Sequence, residues 1–122
     1  MTVAVVDDDL SVRRAIGRIL SIGGYTIRLF VSAEEFLSSP EPYDCVVLDL
    51  QLPGLSGLEL ERRIHTDDPR TAVVFFSAFA DTKKATLARR TGRLCVSKPA
   101  DGQLLLEAVA RSIQANRFGP SD

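Results

Sequence analysis

Two segments decide the fold of this chain: VAVVDDD at residues 3–9 and CVVLDLQLPG at residues 45–54. In each segment a short apolar run, with no polar alternation, ends directly in aspartate. Continuous apolar runs of this length are typical of strands that are buried on both faces of a parallel sheet. Because the carboxyl ends of parallel strands lie along one edge, the pattern predicts that Asp7, Asp8 and Asp49 meet there.

Three further apolar or β-branched runs occupy residues 26–31, 72–76 and 94–96. Segments with apolar residues at helical spacing separate the runs, and they predict helices over residues 10–23, 32–37, 57–65 and 82–91, and from 101 onward. Five strand–helix units with right-handed crossovers build an open, doubly wound sheet. The predicted class is therefore α/β.

Length and composition indicate one domain. The chain has 122 residues, of which 45% are apolar, enough for a single core. Residues 1–116 are predicted to form this domain, and residues 117–122 a linker-like tail. With 15 basic and 16 acidic residues the net charge is −1, so no overall field favours nucleic acid or an anionic membrane.

The surroundings of the protein are also predicted from the sequence. No apolar stretch approaches the ~18 residues that span a bilayer, and the sequence shows no basic segment followed by the apolar stretch of a secretory signal peptide. Cys45 and Cys95 lie inside apolar runs, so both are expected to be buried, reduced thiols. A cytoplasmic protein without membrane contact is the expectation.

Two more polar positions follow predicted strands. Ser77 comes directly after the fourth run, and Lys98, with Pro99, comes just after the fifth. Three neighbouring carboxylates repel one another unless a cation neutralises them, and their oxygens suit Mg²⁺ or Mn²⁺. An aspartate such as Asp49 can also attack phosphorus, with the Lys98 ammonium and the Ser77 hydroxyl contacting the phosphoryl oxygens.

In this order and spacing, the motifs resemble those of the receiver domain of a two-component response regulator. The resemblance covers residues 2–115 and rests on VDD at 6–8, LDLQLPG at 48–54, SG at 56–57, Ser77 with the small Ala78, and Lys98-Pro99. It implies a flavodoxin-like sheet of five parallel strands in the order 2-1-3-4-5, flanked by five helices.

The resemblance also implies roles for these residues. Mg²⁺ would be held by Asp7, Asp8, Asp49 and the main-chain carbonyl of Gln51. Asp49 would accept a phosphoryl group from a sensor histidine kinase, and Ser77 and Lys98 would bind that group. The domain would phosphorylate and dephosphorylate itself without being a turnover enzyme.

The output is implied in the same way. SAEEFL at residues 32–37 and LSGLEL at 55–60 are similar to the FixJ-type subgroup, whose members usually carry a DNA-binding output domain. The readout surface would be helix 4, strand 5 and helix 5, and two phosphorylated copies could pair through it. One departure is Cys95, which stands where the family usually has an aromatic residue that changes rotamer on activation.

Two alternatives come from other classes of protein. DDDLS at residues 7–11 also fits the first motif of haloacid-dehalogenase-like phosphatases, with Asp7 as nucleophile and Asp9 as general acid. Asp49 would then have no role, and the further acidic pair expected after Lys98 is missing. The third interpretation is a receiver-like module that binds partners without being phosphorylated.

Overall fold

Five parallel strands form one sheet in the order β2-β1-β3-β4-β5, with five helices between and after them. The computed structural model describes residues 1–39, 41–77, 83–97 and 102–118. The elements are β1 Thr2–Val6, α1 Leu10–Ile22, β2 Thr26–Phe30, α2 Ala33–Leu37, β3 Cys45–Leu48, α3 Gly57–Asp67, β4 Ala72–Ser77, α4 Lys83–Arg90, β5 Leu94–Ser97 and α5 Gly102–Phe118. The predicted α/β class and strand order are confirmed.

The sheet is covered on both faces, as its apolar strands predict. On one face, side chains of α2, α3 and α4 pack on the sheet, among them Phe36, Leu60 and Ala88. On the other face α1 and α5 do so, through residues such as Leu20 and Val109. All four residues of β3 are buried, because this central strand contributes alternately to both cores.

The ends of the strands form two edges of the sheet, one at the carboxyl ends and one at the amino ends, and these two edges differ in chemistry. The carboxyl edge is defined here by the residues at and after the ends of β1, β3 and β4: Asp7, Asp49 and Ser77. The amino edge is defined by Asp44 and Arg93, which precede β3 and β5. No helix in the described ranges is long and apolar enough to cross a membrane.

Two local predictions are wrong. Helix α5 continues to Phe118, so Arg117 belongs to a helix rather than to the tail, and its guanidinium pairs with Asp44 at 2.9 Å. Cys45 is buried as predicted, but Cys95 is exposed. The reason is that β5 is an edge strand, which pairs with only one neighbouring strand and is less covered than the central strands. The predicted helix starts at 82 and 101 fall outside the described residues.

Candidate functional site

The pairing of β1 with β3 brings Asp7 and Asp49 together. Val6 and Leu48 are partners in the sheet, and each is the last residue of its strand. The main-chain N–H of Asp49 donates to the carbonyl of Val6 at 3.1 Å, which continues the pairing by one step. One carboxylate oxygen from each of Asp7, Asp8 and Asp49 lies within 4.8 Å of the other two. The strand pattern predicted this convergence.

This acidic cluster has the donor set of a hard divalent cation. Asp7 and Asp49 are 1% and 8% exposed, whereas Asp8 faces solvent. Two oxygens bound to one Mg²⁺ lie about 3 to 4 Å apart, since each Mg–O bond is about 2.1 Å. The oxygens of the cluster therefore fit around such an ion with small side-chain movements, and because Asp8 is exposed, one side of the cluster is open to solvent.

Main-chain N–H groups hold the two buried carboxylates. The N–H of Asp9 donates to Asp7 Oδ1 at 2.9 Å, and the N–H of Gln51 donates to Asp49 Oδ1 at 3.0 Å. Such bonds fix the orientation of a carboxylate. The second bond also places Gln51, a predicted carbonyl ligand, directly beside Asp49.

Close packing behind Asp49 explains Gly57, whose purpose the sequence did not reveal. A Cβ atom at Gly57 would lie 2.4 Å from the carbonyl oxygen of Asp49 and 2.9 Å from Cα of Leu50. Both contacts are with backbone, which cannot move aside as a flexible side chain can. Glycine therefore allows the start of α3 to approach the residue after β3.

Arg13 is a further neighbour that the sequence analysis missed. Its Nη1 donates to the main-chain oxygen of Asp7 at 2.8 Å, from the second turn of α1. Its position six residues after Asp7 in a helical segment was compatible with this contact, but nothing in the pattern distinguished it from its neighbour Arg14. The contact ties α1 to the end of β1.

The remaining predicted residues are placed only in part. Ser77 is the last residue of β4 and is buried beside Asp49's strand. Lys98, Ala78 and Pro99 lie outside the described residues. Cys95 lies on β5, paired with Phe75, and is exposed. Although the residue as a whole is exposed, partial covering of its sulfur raises the pKa of the Cys95 thiol, and the nearby positive charge of Arg89 opposes this shift.

The position of Asp9 bears on the phosphatase alternative. Asp9 is the N-cap of α1, and its Oδ1 accepts a hydrogen bond from the N–H of Val12 at 3.1 Å. It does not belong to the acidic cluster, whereas Asp49 does. The cluster thus includes Asp49, which the phosphatase interpretation leaves without a role, while Asp9 caps a helix.

Comparison with known proteins places the chain in a family. Residues 3–110 match the model of the response regulator receiver domain, so the chain belongs to that family, as its motifs predict. It is 34% identical over 118 residues to nodulation protein W of Bradyrhizobium diazoefficiens, covering 94% of this chain and 52% of that protein. It is 32% identical over 116 residues to the transcriptional regulatory protein FixJ of Azorhizobium caulinodans, covering 93% and 55%.

A solved structure gives the same result. The BeF3-activated receiver domain of DrrB matches with a TM-score of 0.85 and 31% identity, covering 93% of this chain and 97% of that one. The chain is thus a receiver domain of two-component signalling with FixJ-type relatives. It spans about half the length of the curated relatives named above.

Proposed function

We propose that Asp49 is the phosphoacceptor of this receiver domain and that a sensor histidine kinase is its donor. The observation that supports this best is the cluster of Asp7, Asp8 and Asp49 at the carboxyl edge. An oxygen of Asp49 attacks the phosphorus of a phosphohistidine. A P–O bond forms as the P–N bond breaks, and the imidazole nitrogen takes a proton.

We propose Mg²⁺ or Mn²⁺ as the cofactor, held by Asp7, Asp8, Asp49 and the carbonyl of Gln51. Such an ion, when bound, offsets the negative charge of the carboxylates and of the transferring phosphoryl oxygens. The buried position of Asp7 and its bond to the Asp9 N–H keep one ligand fixed before the ion arrives.

Ser77 and Lys98 are proposed to bind the phosphoryl group once it is on Asp49. A hydroxyl donates one hydrogen bond, and an ammonium acts as a point charge on a second oxygen. We propose further that water later hydrolyses the acyl phosphate, so that the domain resets itself. In this scheme the domain stays active for the lifetime of the acyl phosphate and is not a turnover enzyme.

The proposed output surface is α4, β5 and α5. Phosphorylation would bias an equilibrium between an inactive and an active arrangement of this surface. The named relatives include transcriptional regulators, which supports control of transcription through a separate DNA-binding domain. Pairing of two phosphorylated copies through the same surface stays a prediction, and Cys95 would take the place of the usual aromatic side chain there.

Intact mass after incubation with acetyl phosphate and Mg²⁺ tests this proposal. The wild type is expected to gain one phosphoryl group, the Asp49→Asn protein none, and the Asp7→Asn protein far less than the wild type. Phosphate release that only Asp7→Asn abolishes, with no adduct on any protein, would favour the phosphatase. Neither adduct nor release would favour an unphosphorylated binding module.

A further inference from the structure

We infer that Glu34, on α2, is a positioning residue for the acceptor loop, defined as residues 50–56 between β3 and α3. Glu34 is not a member of the acidic cluster. It acts by fixing the loop that carries the Gln51 carbonyl next to Asp49. The inference rests on the proposed function, because the loop matters only if Asp49 and Gln51 bind a cation.

The contact is direct and close. Glu34 Oε2 accepts a hydrogen bond from the main-chain N–H of Leu55 at 3.0 Å, across 21 residues of sequence. The same oxygen lies 2.8 Å from the position that a Cβ atom would take at Gly54. Gly54 has φ of +73°, a conformation that favours glycine. The loop therefore turns around the Glu34 carboxylate.

Other hydrogen bonds of the acceptor loop are local. The N–H of Gln51 bonds to Asp49, the N–H of Gly57 donates to the Leu50 carbonyl at 3.4 Å, and Ser56 caps α3. Within the described ranges, Glu34 is the only side chain of another element that hydrogen-bonds to the loop. Leu50 and Leu52 bury the loop against the core, but apolar packing does not set backbone orientation.

Electrostatics favours this contact. The hydrogen bond from the Leu55 N–H lowers the pKa of the Glu34 carboxyl group, so the carboxylate stays ionised to lower pH than an ordinary glutamate. A hydrogen bond to an ionised acceptor is stronger and more directional than one between neutral groups. The Glu34 carboxylate on α2 therefore holds the Leu55 N–H of the acceptor loop through a hydrogen bond.

The neighbouring residue offers a matched control. Ser32 caps α2 by accepting a hydrogen bond from the Glu35 N–H, and the Glu35 side chain accepts through Oε1 from the N–H of Val31 at 3.4 Å, just before the helix. Glu34 and Glu35 are both exposed glutamates in the first turn of α2. Only Glu34 reaches the loop, so the pair separates positioning of the loop from stability of the helix.

The experiment is titration of the whole chain with Mn²⁺ by calorimetry, together with urea unfolding. Glu34→Ala is expected to weaken Mn²⁺ binding by about tenfold, the lower end for loss of a partner outside the ligand set. Glu34→Gln should stay within about twofold of the wild type, because its amide oxygen can still accept from Leu55. Glu35→Ala should lower the free energy of unfolding and leave Mn²⁺ affinity unchanged.

Two results would overturn the inference. One is an unchanged Mn²⁺ affinity in a folded Glu34→Ala protein beside a wild type that binds normally, which leaves the proposed function intact. The other is equal weakening by Glu34→Ala and Glu35→Ala, which would assign both to helix stability. If the wild type binds no Mn²⁺ at all, the proposed function fails and the inference fails with it.

Discussion

Carboxylates are clustered together at one edge of the sheet and paired with arginines at the other. At the carboxyl edge Asp7, Asp8 and Asp49 are gathered within 4.8 Å of one another. At the amino edge acidic groups are spaced apart and matched with arginines. Asp44 accepts from the N–H of Thr2 at 2.8 Å and from Arg117 at 2.9 Å.

A second pair makes the contrast stronger. Glu61 of α3 and Arg93, just before β5, form an ion pair at 3.2 Å, with side chains that are 8% and 13% exposed. It joins α3 to the turn between α4 and β5. One edge thus joins elements through ion pairs, whereas the other concentrates like charge, which we expect to oppose folding. We interpret this as stability given up for ligand binding.

The largest expected effect lies at the amino edge. Glu61→Ala removes one partner of a largely buried pair and leaves the Arg93 guanidinium without its carboxylate. We expect a loss of about 3 kcal/mol in the free energy of unfolding, measured with urea. The control is Glu41→Ala, which breaks the exposed Arg28–Glu41 pair and should cost less than about 1 kcal/mol. Equal losses in the two proteins would remove the distinction between buried and exposed pairs.

Asp44→Ala should have a smaller effect. The substitution removes the acceptor of both the Thr2 N–H and the Arg117 guanidinium, and we expect a loss of about 1.5 kcal/mol. Arg117→Ala removes only the half-exposed ion pair and should cost under about 1 kcal/mol. If Arg117→Ala lowers the free energy of unfolding more than Asp44→Ala does, then the bond from the Thr2 N–H to Asp44 does not add to the stability that the ion pair provides.

At the carboxyl edge, removing an acidic side chain should increase the free energy of unfolding instead of lowering it. Asp8→Asn removes one of three neighbouring negative charges, and without divalent cations it should raise the free energy of unfolding by about 1 kcal/mol. Urea unfolding in the presence of a chelator measures this. A destabilised Asp8→Asn protein would mean that the cluster does not oppose folding.

The smallest expected effect concerns the thiols. Burial raises the pKa of Cys45 to about 12, so its thiol stays neutral in the fold and should not react with iodoacetamide at pH 8. Only the exposed Cys95 should be labelled in the native protein, as counted by mass. Because the folded pKa is raised, the stability due to neutral Cys45 is present below the unfolded pKa and is lost as pH rises toward 12. Labelling of Cys45 in the native state would show that the start of β3 opens.

The sequence predicted the features that depend on pattern and order. Runs such as Cys45 to Leu48 indicated buried parallel strands, and motif order implied the sheet order that the structure has. Convergence of the three aspartates follows from strand register alone. The roles of all the predicted site residues remain predictions: Asp7, Asp8, Asp49, Gln51, Ser77 and Lys98.

Contacts between distant segments were not predictable. Neither the Glu34–Leu55 bond nor the Glu61–Arg93 pair has a periodic signature, since each depends on how two elements happen to lie in space. The exposure of Cys95 was missed for a related reason, because an apolar run does not reveal that its strand is at a border. The last helix extends past its predicted end, and Arg117 in its last turn pairs with Asp44, 73 residues away in sequence.

If the acidic cluster at the carboxyl edge binds a divalent cation, the free energy of unfolding must depend on Mg²⁺, and urea unfolding at a series of Mg²⁺ concentrations measures this. Stability of the wild type is expected to rise with Mg²⁺, by about 2.7 kcal/mol at one hundred times the dissociation constant. Asp44→Ala should respond equally, and Asp49→Asn should respond weakly. A wild type whose stability is indifferent to Mg²⁺, or an Asp49→Asn protein that gains as much, would contradict cation binding by the cluster.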